Sequence, residues 1–372
     1  MRSSFARPAN TEILAYRAHV EARIALLLDL AKDLHPEARD EAIGRIEMGM
    51  HHEQQHQELI ATDIKHALWT NPLRTPYAAP LLESAVPSAS QSIRWAGHPG
   101  GLVDIGRCGE DFAFDNEAPR HTVFLQPFQI ASRAITCGEY LAFMEDGGYR
   151  RPELWLSDGW DTMRSEGWEA PLYWDRRRNS PAAISNGKFR VEISSERARD
   201  QGDWQVYTLR GTLSVAELEN TPVCHVSYFE ADAFARWYGL RHPGARLPTE
   251  SEWEAAADSV PVEGNFLETS ALHPRAPSPQ ADNAHSAQMF GDVWEWTQSA
   301  YLAYPGYEAP TGALGEYNGK FMSGSMVLRG GSCATSATHI RSSYRNFFHP
   351  ATRWQFSGIR LARLISAPAT RL

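Results

Sequence analysis

The stretch His51-His52-Glu53-Gln54-Gln55-His56-Gln57-Glu58-Leu59 holds the densest set of metal-binding side chains in this chain of 372 residues. On an α-helix, residues four apart lie on one face, so His52 and His56 can grip a single ion. The same letters spell H-E-x-x-H, in which two histidines hold zinc and the glutamate between them, here Glu53, acts as general base. A third reading is a solvated polar helix face. From Asp40 to Leu68 the apolar residues Ile43, Ile46, Met50, Leu59, Ile60, Ile64 and Leu68 recur at intervals near three and four, which predicts the helix. Asn71-Pro72 ends it.

The elements around this motif divide the chain. A second amphipathic helix is predicted from about Thr11 to Leu34, with Ile13, Leu14, Val20, Ile24, Leu27 and Leu28 on its apolar side and Asn10 or Thr11 as N-cap. Two helices cannot bury their apolar stripes fully against each other, so residues 1–71 read as an incomplete helical domain. Residues 72–95 contain Pro72, Pro76, Pro80 and Pro87 and read as an extended linker. Residues 96–372 change character. Short β-prone runs such as His121 to Leu125 and Phe128 to Ile130 alternate with Gly, Pro and Asp turns. Short helices are predicted at Tyr228 to Tyr238 and Thr249 to Ala257, the latter opened by a Thr249/Glu252 capping box. With 12 tryptophans, mostly in this part, an irregular fold packed on aromatic side chains is expected.

Composition limits the functions open to the chain. Its 42% hydrophobic residues, 11% of all residues being aromatic, suffice for substantial cores. A formal charge of -9 argues against a broad nucleic-acid or acidic-membrane surface, and no partner of either kind is expected. No apolar run approaches the roughly 20 residues of a membrane span, and Met1-Arg2-Ser3-Ser4-Phe5 lacks a signal-peptide core, so a cytoplasmic location is expected. Cys108, Cys137, Cys224 and Cys333 form no C-x-x-C pair and read as small buried residues.

Three phrases stand in order: Gly244-Ala245-Arg246-Leu247-Pro248-Thr249-Glu250-Ser251-Glu252-Trp253-Glu254, then Gly291-Asp292-Val293-Trp294-Glu295-Trp296-Thr297, then Val327-Leu328-Arg329-Gly330-Gly331-Ser332. Together with Phe114-Asp115-Asn116-Glu117 and Pro127-Phe128 they make the region from about Gly97 to Arg363 resemble the formylglycine-generating-enzyme (sulfatase-modifying factor) fold. Physically, Gly330-Gly331 permits close backbone approach, and Trp294 and Trp296 alternate as strand residues do. That family's formylglycine chemistry uses a pair of cysteines binding copper after the Arg-Gly-Gly-Ser phrase, where this chain has Cys333 alone. One thiol makes that activity improbable.

Taken with the histidine helix, the whole chain resembles the iron-dependent sulfoxide synthases of ergothioneine biosynthesis, the hercynine oxygenases. The resemblance implies an α+β chain, a partial DinB-like bundle followed by a formylglycine-generating-enzyme-like (C-type-lectin-like) domain. It gives Glu53 no role as base, which sets the protease reading aside. It implies Fe(II) held by three histidines, two of them His52 and His56, with open positions for hercynine, a cysteine-type thiolate and O2. The third ligand is expected on a helix N-terminal to those present, a place that none of His19, His35, His51 and His66 occupies. His51 points about 100 degrees away from His52. A two-histidine site in a truncated, poorly active chain is therefore the expectation.

The resemblance also assigns side chains. Tyr301 and Tyr304 match two tyrosines beside the iron, Tyr301 as proton donor and Tyr304 as supporting contact. A neutral phenol can donate a proton or hydrogen bond at neutral pH. Gln55 suits a polar contact to hercynine, Asn346 its carboxylate, and Phe347 its quaternary ammonium. Relatives that use γ-glutamylcysteine carry Trp-Asp where this chain has Phe347-Phe348, so the donor stays open between cysteine, γ-glutamylcysteine and a selenium analogue. Arg7 resembles an arginine that binds the donor's carboxylate. Two further readings remain: a selenoneine synthase using hercynine and a selenosugar, and an inactive binding module without a complete iron site.

Overall fold

The computed structural model describes residues 7–80, 92–107, 109, 111–176, 203–277, 287–311 and 317–365. Two helices come first, α1 (Asn10–Ala31) and α2 (Pro36–Thr70). There follow strands β1 (Trp95–His98), β2 (Gly101–Ile105), β3 (His121–Leu125) and β4 (Phe128–Ala131), then helices α3 (Cys137–Glu145) and α4 (Ser157–Ser165). A further group comprises β5 (Trp174–Arg176), β6 (Trp204–Thr208), β7 (Gly211–Ser214), α5 (Tyr228–Gly239), β8 (Ala245–Arg246) and α6 (Glu250–Ala257). The last strands are β9 (Gly264–Asn265), β10 (Phe290–Gly291), β11 (Trp294–Ala300), β12 (Met326–Arg329), β13 (Asn346–Phe348), β14 (Ser357–Gly358) and β15 (Ala362–Leu364). This is an α+β chain, and none of its described helices is long and apolar enough to cross a membrane. It parts into two compact units, residues 1–53 and 54–372, with the division inside α2.

In the first unit, α1 starts a residue earlier than its polar side chains suggested. Ala9 stands at the N-cap in place of Asn10 or Thr11, and the Glu12 carboxylate accepts its backbone N–H at 2.8 Å. An acid in the first turn does this work because it also meets the positive end of the helix dipole. Ile13, Leu14, Ile24, Leu27 and Leu28, expected on the apolar side of α1, are all exposed. Pro36 opens α2 four residues before Asp40, where its fixed φ and missing N–H cost nothing.

The second unit begins with the rest of α2. Its buried positions are Glu58, Thr62 and Lys65, a polar stripe at i, i+4 and i+7. Ile60, part of the expected apolar stripe, is exposed. Residues 71–80 form neither helix nor strand but are fastened to this unit. Ala78 donates its N–H to Leu209 O at 3.0 Å, and the Arg74 guanidinium lies 3.8 Å over the Trp69 ring. Of residues 72–95, those numbered 81–91 lie outside the described residues.

Two four-stranded sheets organise the rest. One has the order β1-β4-β15-β8, all antiparallel; the other is β13-β12-β11-β14, parallel only between β11 and β14. Capping boxes fix the helices between them: Thr249 Oγ1 accepts from Glu252 N–H at 3.1 Å while Glu252 accepts from Thr249 N–H at 2.8 Å. The same reciprocal pair joins Ser227 to Glu230 at the start of α5. The core is aromatic, as the tryptophan content predicted, with Tyr140, Phe143, Phe234, Trp253, Trp294 and Trp296 fully buried. Arg360 ties the sheets together from inside: it bonds both Glu295 oxygens at 2.8 Å and the Ala131 carbonyl at 2.7 Å. At Gly330, φ is 97° and an added Cβ would lie 2.6 Å from Met289 O, so the backbone passes where only glycine fits.

Candidate active site

The β11 strand delivers Tyr301 to the site. Just past its end the Tyr301 N–H donates to Ser325 O at 2.8 Å, and the side chain is fully buried. Its ring stacks on Phe347 with centroids 4.0 Å apart and planes 9° from parallel. Its Oη accepts from Asn116 Nδ2 at 2.9 Å. Burial raises the phenol's pKa well above the ordinary tyrosine value, so Tyr301 is a neutral O–H group at any physiological pH.

Tyr304 is placed differently, inside a buried ionic cluster. Arg329 donates to its hydroxyl at 3.0 Å, Glu250 lies 3.4 Å away, and the Arg345 guanidinium sits 3.9 Å over its ring. Glu250 in turn accepts from Arg329 and Arg345, both at 2.7 Å, and these two cations hold its carboxyl below the ordinary range. This arrangement suits a support for the loop after β11.

On β13, adjacent residues point to opposite faces, and the three expected site residues divide accordingly. Phe347 joins Tyr301, with Phe321 at 5.7 Å, while Phe348 packs edge-on against Trp354 at 5.0 Å. Asn346 is half-buried, its Oδ1 accepting the Phe347 N–H at 2.9 Å.

Gln55 is held at both ends of its amide. Its Nε2 donates to Tyr344 Oη at 2.7 Å, and its Oε1 accepts from Tyr317 Oη. Tyr317 stacks on Phe114 at 5.5 Å, and burial pushes its phenol up to about 12. The Tyr344 hydroxyl also meets His339 Nε2 at 3.0 Å. One turn further along α2, the buried Glu58 accepts from Trp294 Nε1 at 2.8 Å, Ser332 Oγ at 2.6 Å and Thr335 Oγ1 at 2.9 Å. Burial raises its pKa against the pull of those three bonds.

A short segment links the two clusters. Phe114 packs on Tyr317 and Tyr344, and Asn116, two residues on, bonds Tyr301. The structure thus brings Gln55, Tyr301 and Phe347 to the two ends of the Phe114–Asn116 segment. Phe348 faces away from it, Tyr304 lies in the ionic cluster, and Arg7 is an exposed residue of the first unit. Asn116, Tyr317, Tyr344 and Glu58 were not assigned from the sequence. Asn116 stood in the phrase Phe114-Asp115-Asn116-Glu117, which read as scaffold, and Tyr344 lies two residues before Asn346 without having been given a role of its own.

His52 and His56 lie four residues apart on α2, both exposed. Among the described residues no group of three or more His, Cys, Asp and Glu side chains is arranged to hold a metal ion. Two imidazoles fit part of an octahedral coordination shell and do not complete one.

Residues 96–280 and 278–365 match the sulfatase-modifying factor enzyme 1-like domain. A hercynine oxygenase of Mycolicibacterium smegmatis is 32% identical over 379 aligned positions, covering 94% of this chain and 77% of its own. A hercynine oxygenase of Mycobacterium tuberculosis is 33% identical, covering 70% of this chain and 58% of its own. The formylglycine-generating enzyme of Streptomyces coelicolor is 27% identical over 68% of this chain and 82% of its own. The chain belongs to the sulfatase-modifying factor enzyme 1-like family, in the group of the hercynine oxygenases. It spans 77% of the first of these oxygenases and little more than half of the second.

Proposed function

We propose that the chain acts in ergothioneine biosynthesis as an iron(II)- and O2-dependent oxygenase that joins the sulfur of a cysteine-type donor to the imidazole of hercynine, giving a sulfoxide. The supporting observation is the 32% identity to a hercynine oxygenase, which extends over 94% of the chain and so includes the histidine helix. On this reading α1 and α2 belong to a DinB-like metal-binding domain. His52 and His56 would hold Fe(II) with a further ligand from outside the described residues, and the ion would supply O2 activation and a common anchor for both substrates.

The protein's own groups then divide the remaining work. Tyr301 would keep a proton at Oη for transfer to the developing product, its neutrality secured by burial. Gln55, its amide fixed by Tyr317 and Tyr344, would offer its remaining N–H and lone pair to hercynine. Phe347 would present ring surface to the trimethylammonium group. Phe348 is turned onto Trp354 and brings no carboxylate to a donor amino group, which suits cysteine as well as γ-glutamylcysteine.

Aerobic incubation with Fe(II), hercynine and each thiol in turn, followed by mass spectrometry, tests the reading. The expected product is the coupled sulfoxide with one donor or both. Consumption of neither substrate by folded, iron-loaded protein would refute it. In Tyr301→Phe, sulfoxide formation should fall and simple thiol oxidation rise; an unchanged product ratio would remove Tyr301 from the chemistry.

A further inference from the structure

We infer that Asn116 is a positioning residue that dictates which way the Tyr301 hydroxyl donates. The inference rests on the proposed role of Tyr301 as proton donor and goes beyond it. Asn116 is buried within a 3-10 turn, Asp115–Glu117, whose backbone is held from both sides. Arg345 donates to Asn116 O at 2.9 Å, and the neighbouring Glu117 carboxylate accepts from Phe114 N–H at 2.9 Å and Ser343 Oγ at 2.7 Å.

The orientation of the Asn116 amide follows from its neighbours. Its Nδ2 lies 3.4 Å from the Arg345 carbonyl and 2.9 Å from Tyr301 Oη. A backbone carbonyl only accepts, so the NH2 end must be the one on this side, and the second N–H is spent on the tyrosine oxygen. Tyr301 Oη is then an acceptor towards Asn116, and its own hydrogen has to point elsewhere. The ring cannot swing to compensate, because Phe347 stacks flat against it. A buried phenol with free choice would donate to the nearest acceptor; here its hydrogen-bond partner among the described residues is a donor. The proton is therefore kept available.

A second observation argues that the amide is placed for this contact. Among the described residues, Asn116 Oδ1 is buried with no hydrogen-bond partner, a state that a residue selected for packing alone would avoid. Arg345, Asp115 and Tyr307 are the other charged or titratable groups acting on Tyr301. Among the described residues, none of them accepts a hydrogen bond from its hydroxyl.

The discriminating substitution is Asn116→Asp, which keeps the shape and replaces the donor by an acceptor. With [13C-ζ]tyrosine incorporated, the Tyr301 resonance is assigned in the metal-free protein by its loss in Tyr301→Phe. In Asn116→Asp that resonance should move towards the position of a phenol donating to a carboxylate. In Asn116→Ala it should move in the same direction by a smaller amount, as an accepted hydrogen bond is lost without a carboxylate taking its place. Sulfoxide formation by Asn116→Asp should fall roughly 10- to 100-fold, with thiol oxidation gaining, since the proton is diverted. An unmoved Tyr301 resonance in both variants, each shown to be folded by its thermal transition, would overturn the inference. Resonances that move as expected in a protein whose wild type makes no sulfoxide would retire the oxygenase reading and leave the positioning intact.

Discussion

The two halves of α2 behave oppositely. Before Gln54 its apolar residues Ile43 and Met50 are exposed; after Gln54 it buries Glu58, Thr62 and Lys65 instead. The same three-to-four spacing of apolar residues runs through both halves, so periodicity located the helix without locating its contacts. What decides burial in the second half is hydrogen bonding: Glu58 meets three donors, and Lys65 Nζ lies 2.7 Å from His225 Nε2, between the Tyr173 and Phe356 rings. Buried polar groups are stable only when paired, and each of these is.

The contrast can be broken most severely where a buried charge loses its partner. Arg360→Met strands Glu295 and three carbonyls in the core, and should cost about 3–5 kcal/mol in urea unfolding followed by tryptophan fluorescence. All 12 tryptophans lie after Gln54, so this signal reports the second unit. A loss under about 1 kcal/mol would mean the cluster is not the anchor described.

Glu58→Ala comes next. It leaves Trp294, Ser332 and Thr335 without their acceptor, and about 2–4 kcal/mol should be lost by the same measurement. The matching change in the first half, Glu41→Ala, removes only an exposed pair with Arg45 and should cost about 0.5 kcal/mol or less by helical circular dichroism. Equal effects would erase the distinction between the halves.

Asp292 gives a pH signature of the second unit. Burial pushes its carboxyl up to about 6, against hydrogen bonds from the Arg275 N–H, Asn265 and Gln288. Its folded value exceeds its unfolded one, so the folded protein binds the proton more tightly between roughly pH 4 and 6. Keeping it ionised therefore costs stability above pH 6, and the cost is relieved as the pH falls through that window. Relative to Asp292→Asn, wild type should gain about 2 kcal/mol between pH 6.5 and 4. A difference independent of pH would show that Asp292 titrates normally. The smallest expected effect is Met50→Gln, which should change helical melting by less than about 0.5 kcal/mol; a large loss would show that Met50 is covered.

How much of this was legible in the sequence follows from the range of each signal. The Thr249/Glu252 cap and the His121 to Leu125 strand depend on neighbours a few residues away, and both were readable. Tyr301 was singled out through a family resemblance and not through any local pattern. The Asn116 amide, however, reaches a hydroxyl 185 positions away, and Glu58 reaches an indole 236 positions away. No local pattern encodes such contacts. A glutamate in a histidine-rich helical stretch reads as solvent-facing, and only the tertiary donors reverse that. Asn346, Phe347 and Phe348 stand side by side in the sequence, whereas strand alternation turns Phe347 away from both of its neighbours.

The central claim is that the histidine pair of α2 serves oxygen-dependent carbon–sulfur coupling. It is tested most directly by product mass spectrometry of wild type and His56→Ala under identical Fe(II), hercynine and thiol concentrations. Sulfoxide is expected from wild type and a loss of at least about 100-fold in the variant, since losing a proposed metal ligand would remove the centre. Equal sulfoxide yields from the two proteins would contradict it.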